Sequence, residues 1–150
     1  MSASKHYVLG FVFTPDPNYV LLIRKAGRSF DWQQGKLNGV GGAVDAGETP
    51  VQAMQRECQE ETGLDIREWK KFATLQFKTD LVHCYHTTSA QFASARPEEG
   101  KNEPIEIHSV ADLTSPSTDV LYNVGWLVTM ARNHRVREHQ FTYQVVEAAA

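Results

Sequence analysis

The chain of 150 residues has the length of one ordinary domain, and its 41% hydrophobic and 22% charged residues are those of a soluble globular protein. Its 15 basic against 18 acidic residues leave a formal charge of -3, a poor match for a protein that grips a nucleic-acid backbone by charge. Cys58 and Cys84 lie too far apart for metal-ligand spacing, and the apolar run from Tyr7 to Phe13 is too short to span a bilayer. A reduced, cytoplasmic setting is therefore expected, with no membrane and no stable nucleic-acid partner.

Residues 6–14 are rich in β-branched and aromatic side chains and predict a strand. A Thr-Pro-Asp-Pro-Asn turn leads to a second strand over 19–24. Residues 25–35 read as a loop carrying Arg28, Phe30 and Trp32. Residues 36–44 read as an irregular strand whose glycines at 39, 41 and 42 imply close approach to the backbone. The spacing predicts a helix over 49–62, with Thr49 as N-cap, Pro50 in the first turn, Gln52 closing a capping box and Gly63 as the stop. Strands follow over 69–77 and 81–87, then a charged loop over 96–102 and a strand over 104–110. Apolar residues at the helical period predict a helix over 117–132, and 140–146 predict a last short strand. The termini, 1–5 and 147–150, are expected to be flexible. Mixed strands with two helices indicate an α+β or α/β/α sandwich with one mixed sheet.

On a helical wheel, Val51, Met54 and Cys58 form an apolar stripe, and Gln52, Gln55 and Gln59 a neutral outer face. Glu57, Glu60 and Glu61 fall within about 100° of each other beside the stripe. Like charges at i,i+4 cost about 0.2–0.5 kcal/mol per pair. Glu60 and Glu61 also lie in the last turn, where the helix dipole disfavours anions. A hard divalent cation would reverse both penalties; a solvated acidic face with Arg56 as partner is the alternative.

The segment 42–64 reads GAVDAGETPVQAMQRECQEETGL. Gly42 is followed after five residues by Glu48, and after seven more by Arg56-Glu57, Cys58, Gln59, Glu60-Glu61, Thr62, Gly63 and Leu64. This spacing matches the Nudix box, and the chain resembles a Nudix hydrolase. Cys58 stands where the family usually has Ile, Leu or Val. Ala43 stands where many triphosphate-cleaving members have lysine, and Arg24, Lys25, Arg28 and Lys36 are the possible substitutes.

The resemblance implies a Nudix fold, residues 1–150 as one hydrolase domain, and Mg²⁺ or Mn²⁺ held by Glu57, Glu60 and Glu61, with a backbone carbonyl near Gly41 or Gly42 completing the shell. Arg56 would hold Glu48 or orient the glutamates. A further carboxylate from Glu98, Glu99, Glu103 or Glu106 would serve as base or extra ligand, and Glu103 is favoured because it precedes Pro104 and a strand. Arg24, Lys36, Asn38 and Trp32 are the expected substrate contacts, with Phe11, Phe30, Asn123 and Trp126 as further candidates by type. Core packing is the favoured reading for Trp126. His83 and His86, three apart on a strand, should point to opposite faces.

The expected activity is cleavage of the pyrophosphate bond of a nucleoside diphosphate linked to another group. Trp32 with Lys36-Leu-Asn-Gly-Val-Gly-Gly42 resembles the run before the box in triphosphate-cleaving members, which favours a (d)NTP, oxidised ones included, converted to (d)NMP and pyrophosphate. The proline about fifteen residues past the box of ADP-ribose-type members is absent: no proline occurs between Gly63 and Arg96. ADP-ribose, dinucleoside polyphosphates and RNA caps remain alternatives, as does a non-catalytic nucleotide-sensing module. The oligomeric state is left open, a homodimer included.

Overall fold

The computed structural model describes residues 4–26, 33–115, 119–137 and 142–147. In chain order the elements are β1 (His6–Phe13), β2 (Tyr19–Arg24), β3 (Leu37–Asn38), β4 (Val40–Ala43), α1 (Pro50–Thr62), β5 (Lys70–Phe77), β6 (Asp80–Thr88), β7 (Ile105–Ser109), α2 (Val110–Leu113), α3 (Val124–Arg137) and β8 (Tyr143–Val146). The eight strands form one mixed sheet. β1 pairs parallel with β6, and β5 parallel with β8; the other pairings are antiparallel. None of the described helices is long and apolar enough to cross a membrane.

The sheet is covered on both faces because the central strands alternate apolar side chains both ways. Val8, Val12, Leu21, Ile23 and Val40 pack with Ala53, Met54 and Cys58 of α1. Leu9, Phe11, Phe13, Val20 and Leu22 pack with Val124, Leu127, Val128 and Ala131 of α3. This is the expected α/β/α sandwich. Val51, placed by the wheel on the apolar stripe, is 40% exposed, and Ala53 takes its place in the core.

One edge of β1 is shared. Its C-terminal half pairs with β2 at Val12 and Phe13, and its N-terminal half pairs with β4 from Tyr7 to Gly10. Leu37 and Asn38 meanwhile pair with the end of β2. The glycine-rich segment therefore crosses from one partner to the other at Gly39. A Cβ at Gly41 would overlap the Val8 carbonyl, so only glycine allows this approach of β4 to β1.

α1 begins with the expected capping box: the Thr49 hydroxyl accepts from Gln52 N–H, and the Gln52 side chain accepts from Thr49 N–H. Gly63 ends it at φ 76° with its N–H on the Gln59 carbonyl. The helix predicted over 117–132 starts later and ends later, at Val124 and Arg137. The described residues before it are held instead by β3: Leu37 N–H donates to Asp119 O and Leu121 N–H to Leu37 O. Helical spacing of Val120 and Leu121 with later residues did not reveal this bridge. The extension of α3 to 137 is supported by Arg135 and Arg137, cations at the end that the helix dipole favours. The predicted strand over 104–110 ends at Ser109, whose hydroxyl caps the short α2. The start of the predicted last strand, through residue 141, lies outside the described residues.

α3 is also tied to the sheet by a polar contact. His86 Nε2 of β6 lies 2.9 Å from His134 Nδ1, between the Phe13 and Phe72 rings. Burial, then the charge of His134, Lys70 and Arg135, lowers the His86 pKa to about 4. The folded state thus keeps this imidazole neutral, whereas the unfolded chain protonates it near 6.5. Its contribution is complete above pH 6.5 and is lost as pH falls through about 4. His86→Gln, which keeps a polar partner for His134 but cannot titrate, is expected to flatten the fall in melting temperature over that window; thermal melts from pH 7 to 4 check this.

Candidate functional site

The three glutamates leave α1 in different environments. The Glu57 and Glu61 side chains are 15% and 8% exposed, against 49% for Glu60. Glu61 Oε1 accepts the Gly41 N–H at 2.7 Å, and its Oε2 faces Lys25 Nζ at 3.1 Å. Glu57 lies against Gly42, where a Cβ would overlap its carboxylate. The paired glycines thus let β4 approach β1 on one side and receive a carboxylate on the other.

Arg56 organises the outer side of this cluster. Its Nε and Nη2 grip Glu48 at 2.8 and 3.0 Å, its Nη2 also reaches the Ala43 carbonyl, and its Nη1 reaches Glu57 at 2.9 Å and Glu60 at 3.3 Å. Lys25 approaches from the end of β2. Leu21 and Ile23 face α1, so strand alternation puts Lys25 on the same side, toward the glutamates. That signal was present in the sequence, which named Lys25 only among four possible cations.

Glu103 is 5% exposed and its Oε2 accepts the Ala26 N–H at 3.1 Å. It follows Asn102, which adopts φ 51°, and precedes Pro104, whose carbonyl accepts the Arg24 N–H at 2.9 Å. Its charge is close enough to Glu61 to disfavour ionisation there. The other late carboxylates are placed elsewhere. Glu98 pairs with Lys101 at 3.4 Å, Glu99 is exposed, and Glu106 is held by Arg24 and His108.

Burial raises the Glu57 carboxyl to about 6, against the Arg56 hydrogen bond, with Glu61 and Glu60 adding repulsion. Burial likewise raises Glu61, against Lys25 and the Gly41 N–H. The cluster is short of positive charge: Lys25 and Arg56 face Glu48, Glu57, Glu60, Glu61 and Glu103 among the described residues. Hard oxygen donors with unbalanced charge suit Mg²⁺ or Mn²⁺. Among the described residues no three His, Cys, Asp or Glu side chains already enclose an ion-sized site, since Arg56 and Lys25 hold several of the oxygens. The exposed Glu60 and the flexible stem of Lys25 give the set freedom to rearrange around one.

On the α3 side of the sheet, a cleft of about 490 Å³ opens beside the same glycines. Its walls include Tyr7, Phe77 and Tyr122, the amides of Gln33, Asn38 and Asn123, and, at the end nearest the carboxylates, Lys25, Gly41, Gly42 and Glu103. Of the expected substrate contacts, Asn38 lines it. Lys36 and Arg24 do not. The Arg24 guanidinium is engaged with Glu106, 2.9 Å from Nη2 to Oε1, and holds that carboxyl down to about 2. Trp32, Phe30 and Arg28 lie outside the described residues. Phe11 is fully buried against Phe72. Trp126 is 39% exposed, in a separate groove between α2 and α3, rather than packed in the core. His83 and His86 do face opposite ways, to His6 and Lys71 and to His134.

The NUDIX domain model matches residues 5–127. An oxidized purine nucleoside triphosphate hydrolase of Danio rerio is 31% identical over 121 residues, covering 77% of this chain and 76% of that protein. A NUDIX-family hydrolase from Clostridium perfringens superposes with a TM-score of 0.69 at 20% identity, over 88% of this chain and 98% of its own. The NUDIX domain of Shewanella oneidensis NrtR, solved with ADP ribose, gives 0.73 at 18% identity, over 90% of each chain. The chain therefore belongs to the Nudix family, and it is a pyrophosphohydrolase with the Nudix fold.

Proposed function

We propose that this enzyme converts a purine nucleoside triphosphate, oxidised purines included, to the monophosphate and pyrophosphate with a divalent cation, residues 1–150 acting as one catalytic domain. The observation that carries the reading is the continuity of two unlike surfaces. A cleft with three amides and three aromatic side chains meets a carboxylate cluster across Gly41 and Gly42. Amides offer paired donors and acceptors to a base edge, and ring faces pack on a base plane. The relative from Danio rerio, named for oxidized purine triphosphates, points the same way.

Glu57, Glu60 and Glu61 would hold the metal, with the backbone at Gly41–Gly42 beside them. When bound, the cation supplies charge neutralisation on the phosphates and an acidified water. Lys25 lies between Glu61 and the cleft and is placed to take a phosphate oxygen. It is thus the replacement for the lysine that Ala43 does not provide. Glu103 receives the proton of the attacking water on its carboxylate, which its contact with Ala26 N–H holds at the mouth of the cleft. Arg56 orients Glu57 and Glu60 while gripping Glu48.

A panel of nucleotides with Mg²⁺, scored for monophosphate, phosphate and pyrophosphate, tests the substrate. Purine triphosphates should lead it and release pyrophosphate; preference for ADP-ribose or a dinucleoside polyphosphate refutes this reading. Chelation should abolish turnover while the circular dichroism spectrum is retained, because α1 carries its own caps and apolar contacts. Glu57→Gln and Glu61→Gln should each lower turnover by several orders of magnitude with little loss of melting temperature, since each also relieves like-charge repulsion. Steady-state kinetics should show Glu103→Gln losing far more kcat than Glu98→Gln or Glu99→Gln, with KM little changed.

A further inference from the structure

We propose that Arg24 is the positioning residue that sets the shape of the nucleotide cleft, and so its discrimination among bases, without touching the substrate. The inference rests on the cleft being the nucleotide site. Arg24 is on the α3 side of β2, in alternation with Val20 and Leu22, whereas Lys25 points toward the carboxylates. Its guanidinium joins three segments that are distant in sequence. Nη2 and Nε hold Glu106 of β7, Nη1 donates to the Gly35 carbonyl at 2.9 Å, and Nη1 lies 3.5 Å from Asp119 Oδ1.

Two of those segments continue directly into cleft walls. Gly35 belongs to the turn that places Gln33: Lys36 N–H donates to Gln33 O, and Gly35 N–H to Lys25 O. Asp119 begins the stretch that places Leu121, Tyr122 and Asn123, and it is zipped to β3 through the Leu37 N–H on its carbonyl. Asn38 lies one residue along that same β3. Glu106, fixed to His108 at 2.8 Å as well, is the anchor in the sheet. One planar fork with several fixed donors thus holds the Gln33 wall and the Asn123 wall at a set distance from each other. A lysine, with a single point charge, cannot span the three acceptors.

The carboxylate side does not depend on this fork. Glu103 is placed through the Arg24 backbone N–H on Pro104 O, which any substitution except proline preserves. Glu57 and Glu61 are held by Arg56, Gly41 and Lys25. Loosening the guanidinium should therefore weaken ground-state binding of the base and spare the chemical step, a separation that general destabilisation does not produce.

The test is a double-mutant cycle of Arg24→Lys and Asp119→Ala on the nucleotide that the wild type turns over best, with kcat, KM and the purine-to-pyrimidine ratio of kcat/KM measured at a temperature where all four proteins are folded. The Asp119 side chain is 67% exposed, so its removal is expected to cost little stability even if Arg24→Lys proves less stable. Arg24→Lys should raise KM about tenfold and Asp119→Ala about threefold, each keeping kcat within about twofold and lowering the base ratio, and the double variant should add little beyond Arg24→Lys, as expected of residues acting as one unit. Wild-type KM in Asp119→Ala, additive effects, or a loss confined to kcat overturns the clamp. Failure of the wild type to cleave any purine triphosphate overturns the substrate reading instead, and the same cycle on its actual nucleotide still decides the role of Arg24.

Discussion

The structure depends on how closely one strand can pass between a neighbouring strand and a helix. At Gly41 the backbone lies against the Val8 carbonyl and donates its N–H to Glu61; at Gly42 it receives the Glu57 carboxylate where a side chain would be. Everything charged in the site is referenced to that strand. A methyl group at either position would separate β4 from β1 or displace a glutamate, and both surfaces of the site would be disturbed together.

The consequence is an electrostatic load that this fold carries by distributing it. Two largely buried carboxylates on adjacent turns repel each other and are poorly hydrated, which raises both toward neutrality. Arg56 offsets this from the outside, tied also to Glu48, and Lys25 from the cleft side. Together they leave the cluster with more negative than positive charge among the described residues. The helix itself owes nothing to that charge: Thr49, Gln52 and Gly63 close its ends, and Ala53, Met54 and Cys58 seat it. Stability and ionic chemistry are thus assigned to different faces of α1.

Much of this was legible because its signals are local. The capping box, the glycine stop and the carboxylate spacing are properties of one short segment, and the succession of strands with two helices already indicates a sandwich. Glu103 stands out in the sequence by its place before Pro104, and its side chain lines the cleft. The misplacements arise where a side chain's partner is remote. The sequence offers Arg24 as a substrate contact because its acceptors, at Gly35, Glu106 and Asp119, come from three separated segments. The stretch before α3 has the spacing of a helix because apolar periodicity does not distinguish a turn of helix from a bridge to Leu37. Phe11 was a candidate by residue type alone, and packing with Phe72 claims it.

The two thiols add a property that neither the cleft nor the carboxylates would disclose. Cys58 and Cys84 are fully buried, and burial pushes them up to about 11 and about 12. At neutral pH almost none of either is thiolate, the nucleophilic form that attacks peroxides and disulfides. Met54, in the same core, is equally shielded. The described sulfur atoms on and beside α1 are thus held away from solvent-borne oxidants by the same packing that seats the helix.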